Sequence, residues 1–181
     1  TDNYKLKKFT YPENNKLIEK WYNSDGDNIN VWNITLDNNS NPIVSSNYKN
    51  GTLNWYIKNE YDNKNRLIKS IAFQKDSVNF SKDIITYNGL EKTIETYKKN
   101  GKLFYKEVEK NNKYGDIIKH THYNSFNQVT TEPQDFDYEY DKQNNWIIKK
   151  TTRYMSEYDK NKDLIKKPIS TIIERTIEYY D

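Results

Sequence analysis

Apolar and polar residues alternate along this chain over short runs, and clusters of polar residues interrupt the runs at similar intervals. Near the end of the chain, Ile169, Thr171 and Ile173 fall on one side of an extended segment, whereas Ser170 and Glu174 fall on the other. A period of two is typical of β-strands with one packed face. The runs are about five to nine residues long, which fits strands and is too short for most helices. The pattern therefore predicts an all-β protein.

The polar clusters repeat a phrase with an aromatic residue, about four turn-forming residues, an apolar pair and lysine. Its clearest copies are YPENNKLIEK from Tyr11, YDNKNRLIKS from Tyr61, YDKQNNWIIKK from Tyr140 and YDKNKDLIKK from Tyr158. Asp and Asn favour turns because their side chains bond to the local backbone and tolerate positive φ. Asn65 and Asn145 stand where such turns often carry glycine. Each copy therefore predicts a strand–turn–strand joint.

The repeats predict one domain, residues 1–181, in which about twelve strands form an antiparallel meander and a twisted, open sheet. A partly closed β-barrel of the same strands is the alternative, because closure removes exposed strand edges. The least repetitive stretch, residues 74–84, predicts an irregular interruption. Only 34% of the residues are hydrophobic, but 17 tyrosines and 4 tryptophans are present. These numbers predict a thin core rich in aromatic side chains.

The Tyr-Asp turn followed by an apolar pair and lysine resembles the YD or RHS-type repeat of bacterial surface and secreted proteins. The closing stretch, YEYDKQNNWIIKKTTRY through TIIERTIEYYD, is similar to the ends of small exported proteins and lipoproteins of Bacteroidetes. The resemblance implies an exported protein: periplasmic, an outer-membrane lipoprotein or extracellular. It implies no catalytic residues. The start at Thr1, with no initiator Met, predicts that a leader or lipid-anchor segment precedes this sequence.

Composition narrows the function classes further. The net charge of +3 is spread along the chain, whereas a nucleic-acid groove needs a concentrated basic face. Cysteine is absent, which excludes disulfides and thiolate sites, and no apolar run reaches the roughly 18 residues of a membrane-spanning helix. The acidic residues Asp135, Asp137, Glu139 and Asp141 are interpreted as solvated charges. We expect a protein without enzymatic activity and without a cofactor.

The candidate metal ligands are the two histidines, His120 and His122. Residues two apart on a strand share a face, so both imidazoles can approach one ion, with carboxylates completing the site. The competing interpretation is a pair of solvent-facing histidines beside Lys119. Two loops, residues 25–28 and 37–41, place oxygen ligands at alternate positions as calcium loops do. Ordinary turn chemistry explains these loops equally well.

The candidate binding residues are exposed tryptophans, because an indole ring stacks on sugars and anchors protein interfaces. They are Trp21, Trp32, Trp55 and Trp146. The competing interpretation is that the rings fill the thin core. The leading function is an exported or cell-surface binding module with a protein or glycan partner. The alternative is an immunity or antitoxin protein that binds a toxin, and the third is a structural spacer.

Overall fold

The computed structural model describes residues 6–75, 79–158, 160–161 and 163–179. This part of the chain contains thirteen β-strands and no helix. The strands are β1 Leu6–Glu13, β2 Lys16–Tyr22, β3 Asn28–Leu36, β4 Pro42–Lys49, β5 Thr52–Tyr61, β6 Leu67–Gln74, β7 Asn79–Asn88, β8 Glu91–Lys98, β9 Leu103–Asn111, β10 Ile117–Asn124, β11 Gln134–Tyr140, β12 Trp146–Tyr158 and β13 Leu164–Glu174.

The strands are hydrogen-bonded in the order in which they occur in the sequence, from β1 to β13. The predicted all-β antiparallel meander is therefore confirmed, with thirteen strands where about twelve were expected. The alternative of a partly closed barrel is wrong, because β1 and β13 are the two ends of the order and do not pair in the described chain. Of the predicted interruption at 74–84, residues 76–78 lie outside the described residues, and β7 occupies most of the rest.

One turn geometry recurs between the strands. In the turn at residues 62–66, Asp62 Oδ1 accepts the backbone N–H groups of Lys64 and Arg66, each at 2.9 Å. The fourth residue, Asn65, has a φ of 60°. In the turn at 141–145 the fourth residue, Asn144, likewise has a positive φ, of 63°, so the expectation that Asn145 takes the glycine-like position is wrong. In the described chain, six turns begin with such an acceptor: Asn23, Asp37, Asp62, Asn112, Asn124 and Asp141.

The chain divides into two compact units. The first comprises Thr1–Ile85 and Thr96–Lys102, and the second comprises Thr86–Glu95 and Leu103–Asp181. The single-domain assignment stays a prediction. Among the described residues, Ile85 is the only buried apolar residue, and it is still 6% exposed. Half-buried rings and aliphatic side chains supply the remaining apolar contact, in agreement with the thin core that the composition predicts.

Candidate functional site

Three of the four tryptophans named as candidate binding residues lie on one face of the sheet in the first unit. Trp32 pairs with Asn47, and Asn47 pairs with Trp55 on the next strand. Directly paired residues of antiparallel strands point to the same face, so the two indoles flank Asn47. Trp21, paired with Asn30 two residues before Trp32, joins the same face. We call this surface the aromatic face; it consists of Trp21, Asn30, Trp32, Asn47 and Trp55.

Asn47 fixes the centre of the aromatic face. It is 2% exposed, and its Nδ2 donates to Asn30 Oδ1 at 2.6 Å, while its Oδ1 accepts from Asn54 Nδ2 at 3.3 Å. Above it the rings of Trp32 and Trp55 meet edge to face, with centroids 4.8 Å apart. Edge-to-face pairs of this kind contribute about 0.5–1.5 kcal/mol beyond simple burial. The position of Trp55 is therefore held by packing and by a satisfied polar network.

An open concavity of about 780 Å³ lies beside Trp55, which forms part of its lining. Its described lining residues come from β5, β6 and β7 and the ends of these strands: Asn54, Trp55, Ala72, Phe73, Gln74, Lys75, Phe80 and Ser81. Gln74 pairs with Trp55, and Ala72 pairs with Ser81, so small side chains stand beside a large one on the same face. Ala72 and Ser81 therefore occupy little of the space beside Trp55.

Sequence reasoning found Trp55 but missed the other lining residues. Phe80 is 60% exposed and sits at an irregularity in the register between β6 and β7. One signal was available, because Ala72 is the only alanine of the chain. An alanine between the larger side chains of Ile71 and Phe73 marks a position where the surface of the strand is low.

Trp21 and Trp146 make their contacts away from the concavity. The Trp21 indole donates its N–H to Glu19 Oε1 at 2.5 Å, and Lys7 Nζ lies 4.1 Å from the ring centroid. Trp146 belongs to the second unit, where the Arg175 guanidinium lies 3.8 Å from its ring centroid. All four tryptophans are half-buried rather than exposed. In the described chain, only Trp55 among them borders the concavity.

The structure brings a carboxylate to the histidine pair. His122 on β10 pairs directly with Glu107 on β9. His120 Nε2 lies 3.5 Å from Glu107 Oε2, and His122 Nδ1 lies 3.5 Å from Glu107 Oε1. The two imidazole centroids are 4.3 Å apart. The sequence indicated that a carboxylate would complete the metal site but did not identify it. The register between β9 and β10 determines which carboxylate lies beside the histidines.

The remaining candidates have structural roles. In the loop at 37–41, Asp37 Oδ1 accepts the backbone N–H groups of Asn39 and Asn41, so its oxygen serves the turn. The loop at 25–28 lies within the turn headed by Asn23. Of the acidic residues at 135–141, Asp141 heads a turn, and Asp135 lies 4.0 Å from Lys119 at a solvent-accessible position. These contacts explain the loops as turn chemistry.

No family model matches the chain, and no curated protein matches it either. Among solved structures, it is similar to the crystal structure of a porin-like protein from Bacteroides uniformis, with a TM-score of 0.67 and 12% sequence identity. The match covers 95% of this chain and 76% of the other. At this identity, the similarity concerns the fold. In the described part of the chain, no helix has the length and apolar character needed to cross a membrane.

Proposed function

We propose that this protein is a non-enzymatic binding module of the bacterial cell envelope or exterior, and that its ligand is a glycan held in the concavity beside Trp55. The observation that carries the proposal is the combination of indole, phenyl and amide side chains around an open space of about 780 Å³. That volume lies within the usual range for small-ligand sites, about 300–1,000 Å³.

The chemistry of the lining residues supports a sugar. The apolar face of a pyranose ring packs on aromatic rings such as those of Trp55 and Phe80, whereas its hydroxyl groups need hydrogen-bond partners. Asn54, Gln74 and Ser81 offer amide and hydroxyl groups around the same space. These groups both donate and accept, as sugar hydroxyls do.

The same lining residues support binding without catalysis. Glycoside hydrolysis uses a pair of carboxyl groups on either side of the scissile bond. The described residues around the concavity include one charged side chain, Lys75, and no carboxylate. From the described residues of the lining, a bound glycan would therefore meet hydrogen-bonding and stacking groups.

The proposed location draws on two similarities. The repeats resemble the YD or RHS-type repeats of surface and secreted bacterial proteins, and the fold is similar to that of a porin-like Bacteroides protein. Both are compatible with the cell envelope. An open concavity on an exported sheet would have access to polysaccharides outside the cell.

The test is a glycan array followed by calorimetry on the wild type and two matched variants. Ala72→Leu fills the floor of the concavity with a residue that strands tolerate, and we expect it to lower glycan affinity at least tenfold. Trp146→Phe changes a half-buried tryptophan in the other unit and is expected to leave affinity unchanged. Absence of binding above background by the wild type would overturn the proposal, as would equal effects of the two substitutions.

A further inference from the structure

The second unit contains a cluster with metal-binding chemistry, separate from the concavity. Glu107 lies on β9, and His120 and His122 lie two residues apart on β10. Their ligand atoms all lie within 4.8 Å of one another. Adjacent antiparallel strands joined by backbone hydrogen bonds hold these three side chains, so the arrangement does not depend on a loop.

The distances fit a tetrahedral ion. Zinc lies about 2.0–2.2 Å from nitrogen and carboxylate ligands, so two ligands of a tetrahedral site are about 3.3–3.6 Å apart. Both nitrogen–oxygen distances to Glu107 are 3.5 Å. Small side-chain rotations would bring all three ligand atoms to bonding distance of one ion. One or more coordination positions would remain for water or another ligand.

The hydrogen bonding around His120 also points to a ligand. Its Nε2 is buried and makes no hydrogen bond to the described residues, and 3.5 Å to Glu107 is too long for one. A buried polar atom without a partner carries a free-energy penalty. The neighbouring carboxylate, Glu109, pairs directly with His120 but forms an ion pair with Lys92 at 3.0 Å. Glu107 is therefore left to the histidines.

We propose that Glu107, His120 and His122 bind one divalent transition-metal ion of the Zn²⁺ class. Two imidazoles and a carboxylate suit zinc, copper or nickel rather than calcium or magnesium, which prefer all-oxygen sites. The ion would accept the lone pair of His120 Nε2, which has no hydrogen-bond partner among the described residues, and would be bound by His122 and Glu107 as well. This site is independent of glycan binding in the other unit.

The experiment is calorimetric titration of the tag-free protein with ZnCl₂, because an affinity tag would add histidines to a chain that has only two. We expect one saturable equivalent of zinc and a rise in Tm on zinc addition, since an ion that binds only the folded state stabilises it. MgCl₂ should produce neither effect. His120→Asn, His122→Asn and Glu107→Gln should each lower zinc affinity at least tenfold.

Glu109→Gln is the matched control, because it removes the same charge from the same face without removing a proposed ligand. We expect it to change zinc affinity less than threefold. An equal loss in Glu109→Gln and Glu107→Gln would indicate general electrostatic attraction and overturn the site. Absence of saturable zinc binding by the wild type would overturn it too.

A measurement on the wild type covers the case in which a variant fails to fold. Long-range ¹H–¹⁵N spectra of the imidazole rings contain signals from only two histidines. Zinc should shift His120 Nε2 and His122 Nδ1 together and in proportion to occupancy. Unchanged ring signals at saturating zinc would contradict the proposal.

Discussion

At the scale of single residues, the repeated phrase encodes a turn in which one side-chain oxygen binds two backbone N–H groups. The sequence predicts this from its Asp and Asn residues. It does not predict which residue takes positive φ, and the structure assigns Asn144 where Asn145 was expected. Two adjacent asparagines have the same intrinsic preference for positive φ, and only the hydrogen-bond pattern of the hairpin distinguishes Asn144 from Asn145. The acceptor is Asp in some turns and Asn in others, such as Asn112.

The Asp turns predict a specific acid sensitivity. Two hydrogen bonds from Arg66 lower the pKa of Asp62 below its usual value. The bond from the backbone N–H has the larger effect, and the bond from the side chain has the next largest. A carboxylate with a lowered folded-state pKa stabilises the protein above its unfolded pKa of about 3.9, and that stability is lost as pH falls through the folded value. Asp62→Asn keeps the oxygen acceptor and cannot titrate. We expect Asp62→Asn to lose less stability than the wild type between about pH 4 and pH 2.

Urea unfolding at a series of pH values measures this effect. Asp137→Asn is the control, because Asp137 is an exposed residue in the middle of β11 and heads no turn. It should follow the wild-type curve. If Asp62→Asn and the wild type lost stability in parallel, the Asp62 carboxylate would not carry the assigned role.

At the scale of elements, the tyrosine in two of the four clear copies of the repeat phrase joins its hairpin to an earlier turn at the same end of the strands. Tyr61 donates its hydroxyl to the carbonyl oxygen of Pro42 at 3.2 Å. Tyr140 donates to Asp116 Oδ2 at 2.6 Å and accepts from Asn112 Nδ2 at 2.6 Å. The sequence shows the tyrosine spacing but not the turn that each hydroxyl reaches, because that turn lies 19 to 28 residues away.

Removing the Tyr140 hydroxyl tests this connection. Burial of the Tyr140 hydroxyl, and to a smaller extent its hydrogen bond to Asp116, raises the pKa of Tyr140 to about 12. The hydroxyl is therefore protonated at neutral pH and donates a hydrogen bond. Tyr140→Phe leaves Asp116 and Asn112 without their partner. We expect a loss of about 1–3 kcal/mol in the free energy of unfolding, measured with urea.

Tyr154→Phe is the matched control in the same unit, since the described residues offer the Tyr154 hydroxyl no hydrogen bond and the ring is 38% exposed. It should change stability by less than about 0.5 kcal/mol. Equal losses in the two variants would contradict the joining role of Tyr140.

Strand β13 shows the limit of periodicity at this scale. The alternation of Ile169, Thr171 and Ile173 predicted one packed face. In the structure Ile169 and Ile173 are each about half exposed, and Ile172 on the other face is exposed as well. Among the described strands β13 contacts β12 alone, so no other strand packs on either of its faces. Alternation identifies a strand, whereas burial depends on what packs against it.

At the scale of the whole molecule, the order of strands follows directly from the repeats, whereas the candidate sites do not. The concavity combines Trp55, Ala72 and Ser81 from three strands, and the metal cluster combines Glu107 with two histidines from two strands. A one-residue change in register would move each side chain to the opposite face. Register is set by bulges and turns that one sequence does not specify. Candidate residue types could thus be predicted, but not their neighbours.

The central claim is that the concavity beside Trp55 binds a glycan, and the indole N–H signals of the protein test it most directly. The chain has four tryptophans, and one Trp→Phe variant of each assigns the four signals. The protein is titrated with a panel of di- and tetrasaccharides of glucose, mannose, xylose and N-acetylglucosamine. We predict that at least one sugar shifts the Trp55 signal progressively to saturation and leaves the Trp146 signal in place. If no sugar in the panel shifts Trp55, or if Trp146 shifts equally, the claim is contradicted.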